Sequence, residues 1–452
     1  MRALKSFSSA LAHVRILAPL LAMLAALWGP AARAVPSFAA QTGQSCNACH
    51  VGGLGPQLTP FGRDFKLRGY TARAVRYNIP LAAFATVSYV STGKALAEAP
   101  APGFQTNKNV AVDQISLFVA GGVGKHFGAF IQNTYDGVSK SFSWDNLDLR
   151  AVTTAHLGRS DAVLGLTLNN SPTVQDPFNT LPAWGFPYSE SSLGSSPSAS
   201  PMIGNLGQTT LGLTAYAWID RSIYLELGGY RSLGAGFLTH AGADPFSPGK
   251  IEGVAPYGRV AYHHDYGGSN LEVGAFFLDA RLFPARDESA GVTDHYTDLG
   301  LDASYYTVLP RGDVFTVNGR FTHESQRLNA SRALDLAADA HQTLDDIRVD
   351  ASYYWRNKVG LSAQIFETWG SSDDLLFEAN RLRRPDSSGM VFQIDGTPFG
   401  DGSSGLGKRF NLRVGVQYTA YFSFDGAGRD FNQMGRNASD NNTFRVFSWI
   451  YY

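Results

Sequence analysis

Apolar and polar residues alternate with a period of two after the first eighty residues, in stretches of about ten residues separated by turn-rich segments. In residues 345–355, apolar side chains such as Ile347 and Val349 fall on one face, and charged side chains such as Asp346 and Arg348 fall on the other. Because successive side chains of a β-strand point to opposite faces, this pattern predicts strands with one apolar side. The chain is therefore predicted to be all-β and antiparallel.

The strand pattern favours a transmembrane barrel over a soluble sandwich, which would show the same alternation. Strands of about 9–11 residues, aromatic residues at strand ends and an export signal all point to a barrel. Short connections are predicted near residues 121–125, 157–161, 220–221, 265–270, 310–313, 356–358 and 400–408, and long loops near residues 92–111, 136–145, 171–209, 232–254, 281–294, 324–343, 370–389 and 424–442. Seven short turns alternating with eight long loops predict a porin-like barrel of about 16 strands over residues 79–452, with both chain ends periplasmic.

The first 34 residues have the pattern of a signal peptide. Arg2 and Lys5 form a short basic region, an apolar run follows over residues 16–28, and Ala32 and Ala34 form a small-x-small cleavage site. The apolar run is shorter than the roughly 20 residues of a membrane-spanning helix, which disfavours the alternative of an N-terminal anchor. With the barrel pattern, this signal predicts export to the bacterial outer membrane.

Composition narrows the function classes. Only 17% of the residues are charged and 48 of the 452 are glycine, so the chain is charge-poor and glycine-rich, and its many aromatic residues argue against disorder. The formal net charge of -1 offers no basic surface for a nucleic acid. Two cysteines in a chain of this length exclude a disulfide scaffold.

Both cysteines fall in one motif, Cys46-Asn47-Ala48-Cys49-His50, which is the attachment pattern of c-type haem. Two thiols at this spacing can bond the two vinyl groups of one haem, and the imidazole of the next residue then reaches the iron. A zinc half-site would lack its second pair of cysteines, and a redox dithiol would be expected in a βαβ context. The motif predicts one covalent haem c in a short segment over residues 35–78, which plugs or caps the periplasmic side of the barrel.

The sixth ligand of the haem iron is not apparent near the motif, because residues 35–78 contain no methionine and no second histidine. His126, His156 and His263 lie on the polar parity of their strands near short turns, so they are predicted to face inward at the periplasmic mouth. They are candidates for the sixth ligand. The alternative is that all three are ordinary residues of the mouth.

Several lumen residues have alternative interpretations. Glu226, Asp346, Asp350, Asp395, Arg348 and Arg413 are predicted to line the lumen and pair with each other as wall residues. The loop over residues 171–209 either folds into the lumen or lies on the surface. Within it, Asp176 either offers a weak carboxylate contact to an entering metal ion or caps a turn.

Two sets of short motifs carry a resemblance to a known family. The first set comprises the haem motif and residues 36–38, 41–43, 58–63 and 65–70, which read PSF, QTG, LTPFGR and FKLRGY. The second set comprises residues 169–177, 179–180 and 182–187, which read NNSPTVQDP, NT and PAWGFP. These motifs resemble the fused monohaem c-type cytochrome–porins, a family that includes the outer-membrane iron oxidases of iron-oxidising bacteria. Ala40 and Phe178 depart from the family pattern, in which a basic residue and a tryptophan are common.

The resemblance implies an electron carrier that acts as an Fe(II)-oxidising oxidoreductase. The haem would take one electron from extracellular Fe(II) and pass it to a periplasmic acceptor such as a soluble cytochrome c or a cupredoxin. Two alternatives stay open at this point. The donor could be another metal, a sulfur compound or a reduced mineral, or the protein could be a diffusion porin whose haem segment gates or stabilises the pore.

Overall fold

The computed structural model describes residues 37–75, 80–406 and 410–452. The predicted signal peptide (residues 1–34) and the predicted boundary between haem segment and barrel, at residues 78 and 79, lie outside the described residues. In the described parts of the chain, no helix is long and apolar enough to cross a membrane.

The strands form one antiparallel sheet that closes on itself through pairing of its first and last strands. In chain order they are β1 (Leu81–Thr92), β2 (Asn109–Val123), β3 (Phe127–Asp136), β4 (Ser141–Leu157), β5 (Ser160–Asn169), β6 (Thr210–Ile219), β7 (Ile223–Ser232), β8 (Gly249–Ile251), β9 (Ala255–Tyr266), β10 (Ser269–Pro284), β11 (Asp294–Val308), β12 (Val314–Arg327), β13 (His341–Trp355), β14 (Val359–Gly370), β15 (Ser387–Gly396), β16 (Asn411–Ser423) and β17 (Thr443–Tyr451). The short β8 pairs only with the far end of β10, beyond the ladder between β9 and β10. The wall therefore has sixteen long strands, as predicted.

The period-two alternation separates the outer face of the wall from the lumen. On β7, Leu225 and Leu227 are exposed on the outside, whereas Tyr224 and Glu226 are buried inside. The same division holds on β13, where Ile347 faces outward. A continuous apolar outer face on a closed barrel is what a bilayer requires, because only a closed sheet satisfies its backbone groups in lipid. The chain is an outer-membrane β-barrel.

The connections follow the predicted order of short turns and long loops, with two exceptions. The connection predicted as a short turn near residues 400–408 is long, because β15 ends at Gly396 and β16 begins only at Asn411. Residues 137–140, predicted as part of a long loop, form a four-residue turn between β3 and β4. Pairing continues to Asp136 and Ser141 there, so that β4 has 17 residues, more than the predicted 9–11. The predicted length was also too short for β2, β10, β11, β12 and β13, which have 14 to 16 residues.

Residues 37–75, which we call the plug, lie inside the lumen at the end of the barrel that carries the short turns. The plug contains α1 (Ser37–Thr42), α2 (Cys46–Cys49), a short 3-10 helix (Val51–Gly53) and α3 (Pro60–Leu67). Thr59 caps α3 because its hydroxyl accepts a hydrogen bond from the Gly62 amide at 3.2 Å, and Pro60 occupies the first turn, where an amide proton has no partner in the helix. At the base of the plug, the Asn47 amide donates to the carbonyl of Gly400, in the β15–β16 connection, at 3.1 Å.

Residues 170–209, which we call the inner loop, fold into the lumen and settle the alternative between an inward and a surface loop. Residues 172–181 are buried. The loop contains a 3-10 helix (Pro182–Trp184) and α4 (Met202–Asn205), while α5 (Ala235–His240), α6 (Asn329–Ala333) and a 3-10 helix (Ala438–Asn441) lie in other long loops. The plug and the inner loop together fill the middle of the barrel.

Candidate functional site

A cavity of about 420 Å³ lies between the plug, the inner loop and the barrel wall. Cys46, Cys49 and His50 line one side of it. Aromatic rings form much of the remaining lining, with contributions from the plug (Phe65), the wall (Phe84, Phe118, Trp449) and the inner loop (Trp184, Tyr188). The volume is in the range of cofactor sites, which are concave and mostly apolar.

The local fold of the plug brings the three motif residues to the cavity. The single turn of α2 holds them together, because the His50 amide donates to the Cys46 carbonyl at 2.9 Å. The segment before α3 then returns to the motif, where the Thr59 amide donates to the Cys49 carbonyl at 2.9 Å. A Cβ atom on Gly62 would lie 2.3 Å from that same carbonyl oxygen, so only glycine permits α3 to pack this closely.

The two cysteines are free thiols in an apolar setting. Burial raises the pKa of the Cys49 thiol to about 12, with a smaller contribution from Cys46, and burial also raises the pKa of Cys46. Both sulfurs are therefore neutral thiols at neutral pH. Over the described residues, no group of three or more histidines, cysteines and acids is placed to hold a metal ion.

His50 is held in its neutral form. Burial and the nearby Arg413 charge lower its pKa to about 4, and a backbone contact with Gly55 only partly opposes them. Its Nδ1 atom is buried and has no hydrogen-bond partner among the described residues. A neutral imidazole beside two neutral thiols, at the edge of an aromatic cavity, fits the attachment of a haem c through Cys46 and Cys49 with His50 as axial ligand.

The structure brings none of the three candidate sixth ligands to this cavity. His126 and His156 are exposed at the rim, where His126 Nδ1 contacts the Val152 carbonyl and His156 pairs with Asp161 at 2.6 Å. His263 does face inward, but it packs against Phe178 and Trp218, away from the cavity. Parity places a side chain on the correct face of a strand, but it does not fix the side chain's height or angular position in the barrel. His126 and His156 lie at the rim and His263 packs elsewhere in the lumen, so none of the three lines the cavity.

Asp176 of the inner loop is a structural residue. It is buried and lies 2.6 Å from Arg259 of β9. Its carboxylate also accepts hydrogen bonds from the backbone amides of Phe178, Thr180 and Leu181. Each carboxylate oxygen is thus used within the fold, which supports the turn-capping alternative.

Buried polar groups fix the plug to the wall and to the inner loop. Arg63 donates to Asn270 of β10 at 2.9 Å, and the Tyr70 hydroxyl donates to Asp148 of β4 at 2.6 Å. Lys66 donates to two carbonyls of the inner loop at 2.7 and 2.8 Å. Burial, reinforced by a neighbouring arginine, lowers the pKa of Lys66 to about 7. No sequence signal identified these anchors, because each depends on partners far away in the chain.

The predicted lumen residues lie on the inner face, but they do not all pair with each other. Asp346 pairs with Arg348 and Asp395 pairs with Arg413, each at 3.3 Å. Glu226 instead accepts hydrogen bonds from the hydroxyls of Thr214 and Tyr224, and Asp350 accepts one from Asn318. The prediction of mutual ion pairing was wrong for these two carboxylates, because neutral donors on the same or the adjacent strand bind them instead.

No family model matches the chain, and no curated protein matches it. Among solved structures, it is similar to the outer-membrane channel DcaP of Acinetobacter baumannii, with a TM-score of 0.47 and 10% identity over 85% of this chain and 99% of that chain. It is similar to OmpF of Salmonella typhi, with a TM-score of 0.46 and 11% identity over 83% of this chain and 99% of that chain. It is also similar to OmpT of Vibrio cholerae, with a TM-score of 0.43 and 8% identity over 84% of this chain and 99% of that chain.

Proposed function

We propose that the protein carries one haem c and transfers electrons across the outer membrane. Extracellular Fe(II) would give up one electron and leave as Fe(III), and a periplasmic acceptor such as a soluble cytochrome c or a cupredoxin would take that electron. Bound at Cys46, Cys49 and His50, a haem c would supply reversible one-electron chemistry. The proposal agrees with the resemblance to the fused monohaem cytochrome–porins.

The observation that carries the proposal is the meeting of Cys46, Cys49 and His50 at one cavity inside the lumen. A c-type attachment motif on an exposed loop would leave a haem open to water. Here the inner loop covers the cavity with Trp184 and Tyr188, and the wall contributes Trp449. Aromatic side chains exclude water from such a site, and exclusion of solvent is one of the properties by which a protein sets the potential of a haem.

The side chains around the motif have separable roles. Cys46 and Cys49 would hold the group covalently, and the neutral His50 would offer a nitrogen lone pair. Lys66, on the neighbouring α3, ties the plug to the inner loop, which holds the two sides of the cavity together. These residues bind, orient and shield, and none of them is required to move a proton.

A diffusion porin whose haem segment gates or stabilises the pore is the second candidate, and the porin-like fold favours it. The packing of the lumen counts against it. Arg63, Lys66 and Tyr70 anchor the plug through buried hydrogen bonds, and the inner loop lies across the plug. A solute would have to pass beside these contacts or displace them.

The first test is stopped-flow absorbance of the oxidised, haem-loaded protein mixed with Fe(II) under anoxic conditions. We expect rapid appearance of the ferrous bands, and loss of haem-linked absorbance in Cys49→Ala. His156→Ala, which changes an exposed histidine at the rim, is the matched control and should behave as the wild type. Reduction by dithionite but not by Fe(II) would reject the iron donor.

Ion conductance across a planar bilayer separates the two candidate functions. A conduit with a seated plug should show little steady conductance. A large, steady conductance in the haem-loaded wild type would reject the closed conduit and establish the porin.

A further inference from the structure

Arg413 was predicted as a wall residue, and the structure gives it a second role. It lies on β16, is 1% exposed, and its guanidinium faces the turn that follows His50 in the plug. Its Nη2 atom donates to the carbonyl of Gly52 at 3.4 Å. A barrel residue thus contacts the plug only two positions from the axial histidine.

The turn is shaped around this guanidinium. Gly52 and Gly55 both have positive φ angles, of +68° and +109°. A Cβ atom at Gly52 would collide first with the Tyr354 ring and would lie 2.7 Å from Nη2 of Arg413, and one at Gly55 would lie 3.1 Å from Nη1. Both fork nitrogens of the cation are therefore directed at the residues that follow His50, and glycine is required for that approach.

The counter-ion of Arg413 lies on the other side. Asp395 of β15 approaches Nε at 3.3 Å, and the carboxylate oxygen that does so makes no hydrogen bond among the described residues. Two rings flank the guanidinium, with Tyr354 at 5.8 Å and Trp449 at 5.3 Å from ring centre to the guanidinium carbon. The ion pair is thus oriented, with its positive end toward the plug and its negative end toward the wall.

We propose that Arg413 is a positioning residue that holds the axial-ligand turn and raises the reduction potential of the haem attached beside it. Reduction adds an electron, so a fixed positive charge nearby stabilises the reduced state more than the oxidised state. The burial of Arg413 keeps water from screening this effect. The inference rests on the proposed haem site, but it does not depend on which donor the protein uses.

The test measures the midpoint potential by spectroelectrochemistry of the haem-loaded protein. Arg413→Gln should lower the potential, because it removes the positive end of the pair. Asp395→Asn should raise the potential, because it removes the negative end and leaves Arg413 in place. Arg320→Gln is the matched control, since Arg320 is a lumen arginine that contacts Asp346 and the inner loop, and it should leave the potential unchanged.

Opposite shifts in Arg413→Gln and Asp395→Asn are the expected result. Unchanged potentials in both, or shifts in the same direction, would overturn the inference. If Arg413→Gln fails to take up haem, the direction of the Asp395→Asn shift decides. Arg413→Lys keeps the positive charge but loses the planar guanidinium, so its midpoint potential should stay close to that of the wild type. A wild-type protein that binds no haem would reject the proposed function itself. A protein that binds haem but whose variants keep the wild-type potential would reject only the role of Arg413.

Discussion

The hydrogen bond between Tyr70 and Asp148 offers a direct measure of how firmly the plug is seated. Tyr70→Phe removes one hydroxyl and keeps the ring, which packs against Phe38 at 5.1 Å and Phe65 at 5.8 Å. Asp148 would still hold Arg150, whose Nε lies 2.9 Å away. A hydrogen bond to a charged group contributes about 1.5–3 kcal/mol. A loss of about 2 kcal/mol corresponds to about 30-fold more frequent opening of the plug.

Hydrogen–deuterium exchange of the α3 amides, followed by mass spectrometry, reports this opening because local opening limits exchange of buried amides. Exchange over Pro60–Leu67 should accelerate about 30-fold in Tyr70→Phe, while the β13–β14 hairpin should keep the wild-type rate. Tyr89→Phe, on the outward parity of β1, is the control and should change neither. Unchanged α3 exchange in Tyr70→Phe would refute the anchoring role, and equal acceleration everywhere would mean that the barrel itself was damaged.

Three further predictions concern the lumen. Gly128→Ala should unseat the end of the plug and produce ion conductance, because its Cβ would lie 1.9 Å from the Gly69 carbonyl oxygen. The control Gly396→Ala, with no atom within 4 Å of its Cβ, should produce no conductance. A Gly128→Ala variant without conductance would contradict the packing. Asp176→Asn should lower the midpoint of heat unfolding, since removing one partner of a buried pair costs about 3–5 kcal/mol. The dependence of haem reduction on Fe(II) concentration should stay unchanged. A weaker dependence on Fe(II) would support the alternative that Asp176 contacts the entering metal ion. Lys66 has a pKa near 7 in the folded protein instead of the usual 10.5, so between pH 7 and pH 10.5 it binds a proton only in the unfolded chain. The free energy of unfolding should therefore rise from pH 7 to pH 10.5. Lys66→Met should reduce this pH dependence of stability in heat-unfolding scans.

The strand number and the facing of side chains could be predicted because both follow from local regularities. Period-two alternation identifies the outward Ile347 and the inward Asp346 without knowledge of any partner. Turn-rich segments mark where each strand ends. The predicted haem motif is equally local, since Cys46, Cys49 and His50 lie within five positions of each other.

Positions around and along the barrel axis could not be predicted. His263 has the correct parity, yet it packs against Phe178 and Trp218 and lies away from the cavity. The contact between Arg413 and the Gly52 carbonyl joins residues 361 positions apart, so no local pattern contains it. The second role of Arg413 became visible only once the plug and the wall were placed together.

The packing of side chains in the lumen affects the passage of dissolved solutes and the passage of electrons differently. Tyr188 of the inner loop packs against two groups of buried side chains, one around the cavity with Phe84 and Trp449, and one nearer the long loops with Phe186 and Tyr421. A dissolved ion or sugar needs a continuous water-filled path, and packed side chains narrow such a path. An electron needs no such path, because tunnelling favours densely packed atoms over open gaps. The same packing that counts against a diffusion porin is therefore compatible with an electron conduit. Loosening the plug should increase the passage of ions. It should not speed the reduction of the haem-loaded protein, so the two measurements separate the two functions.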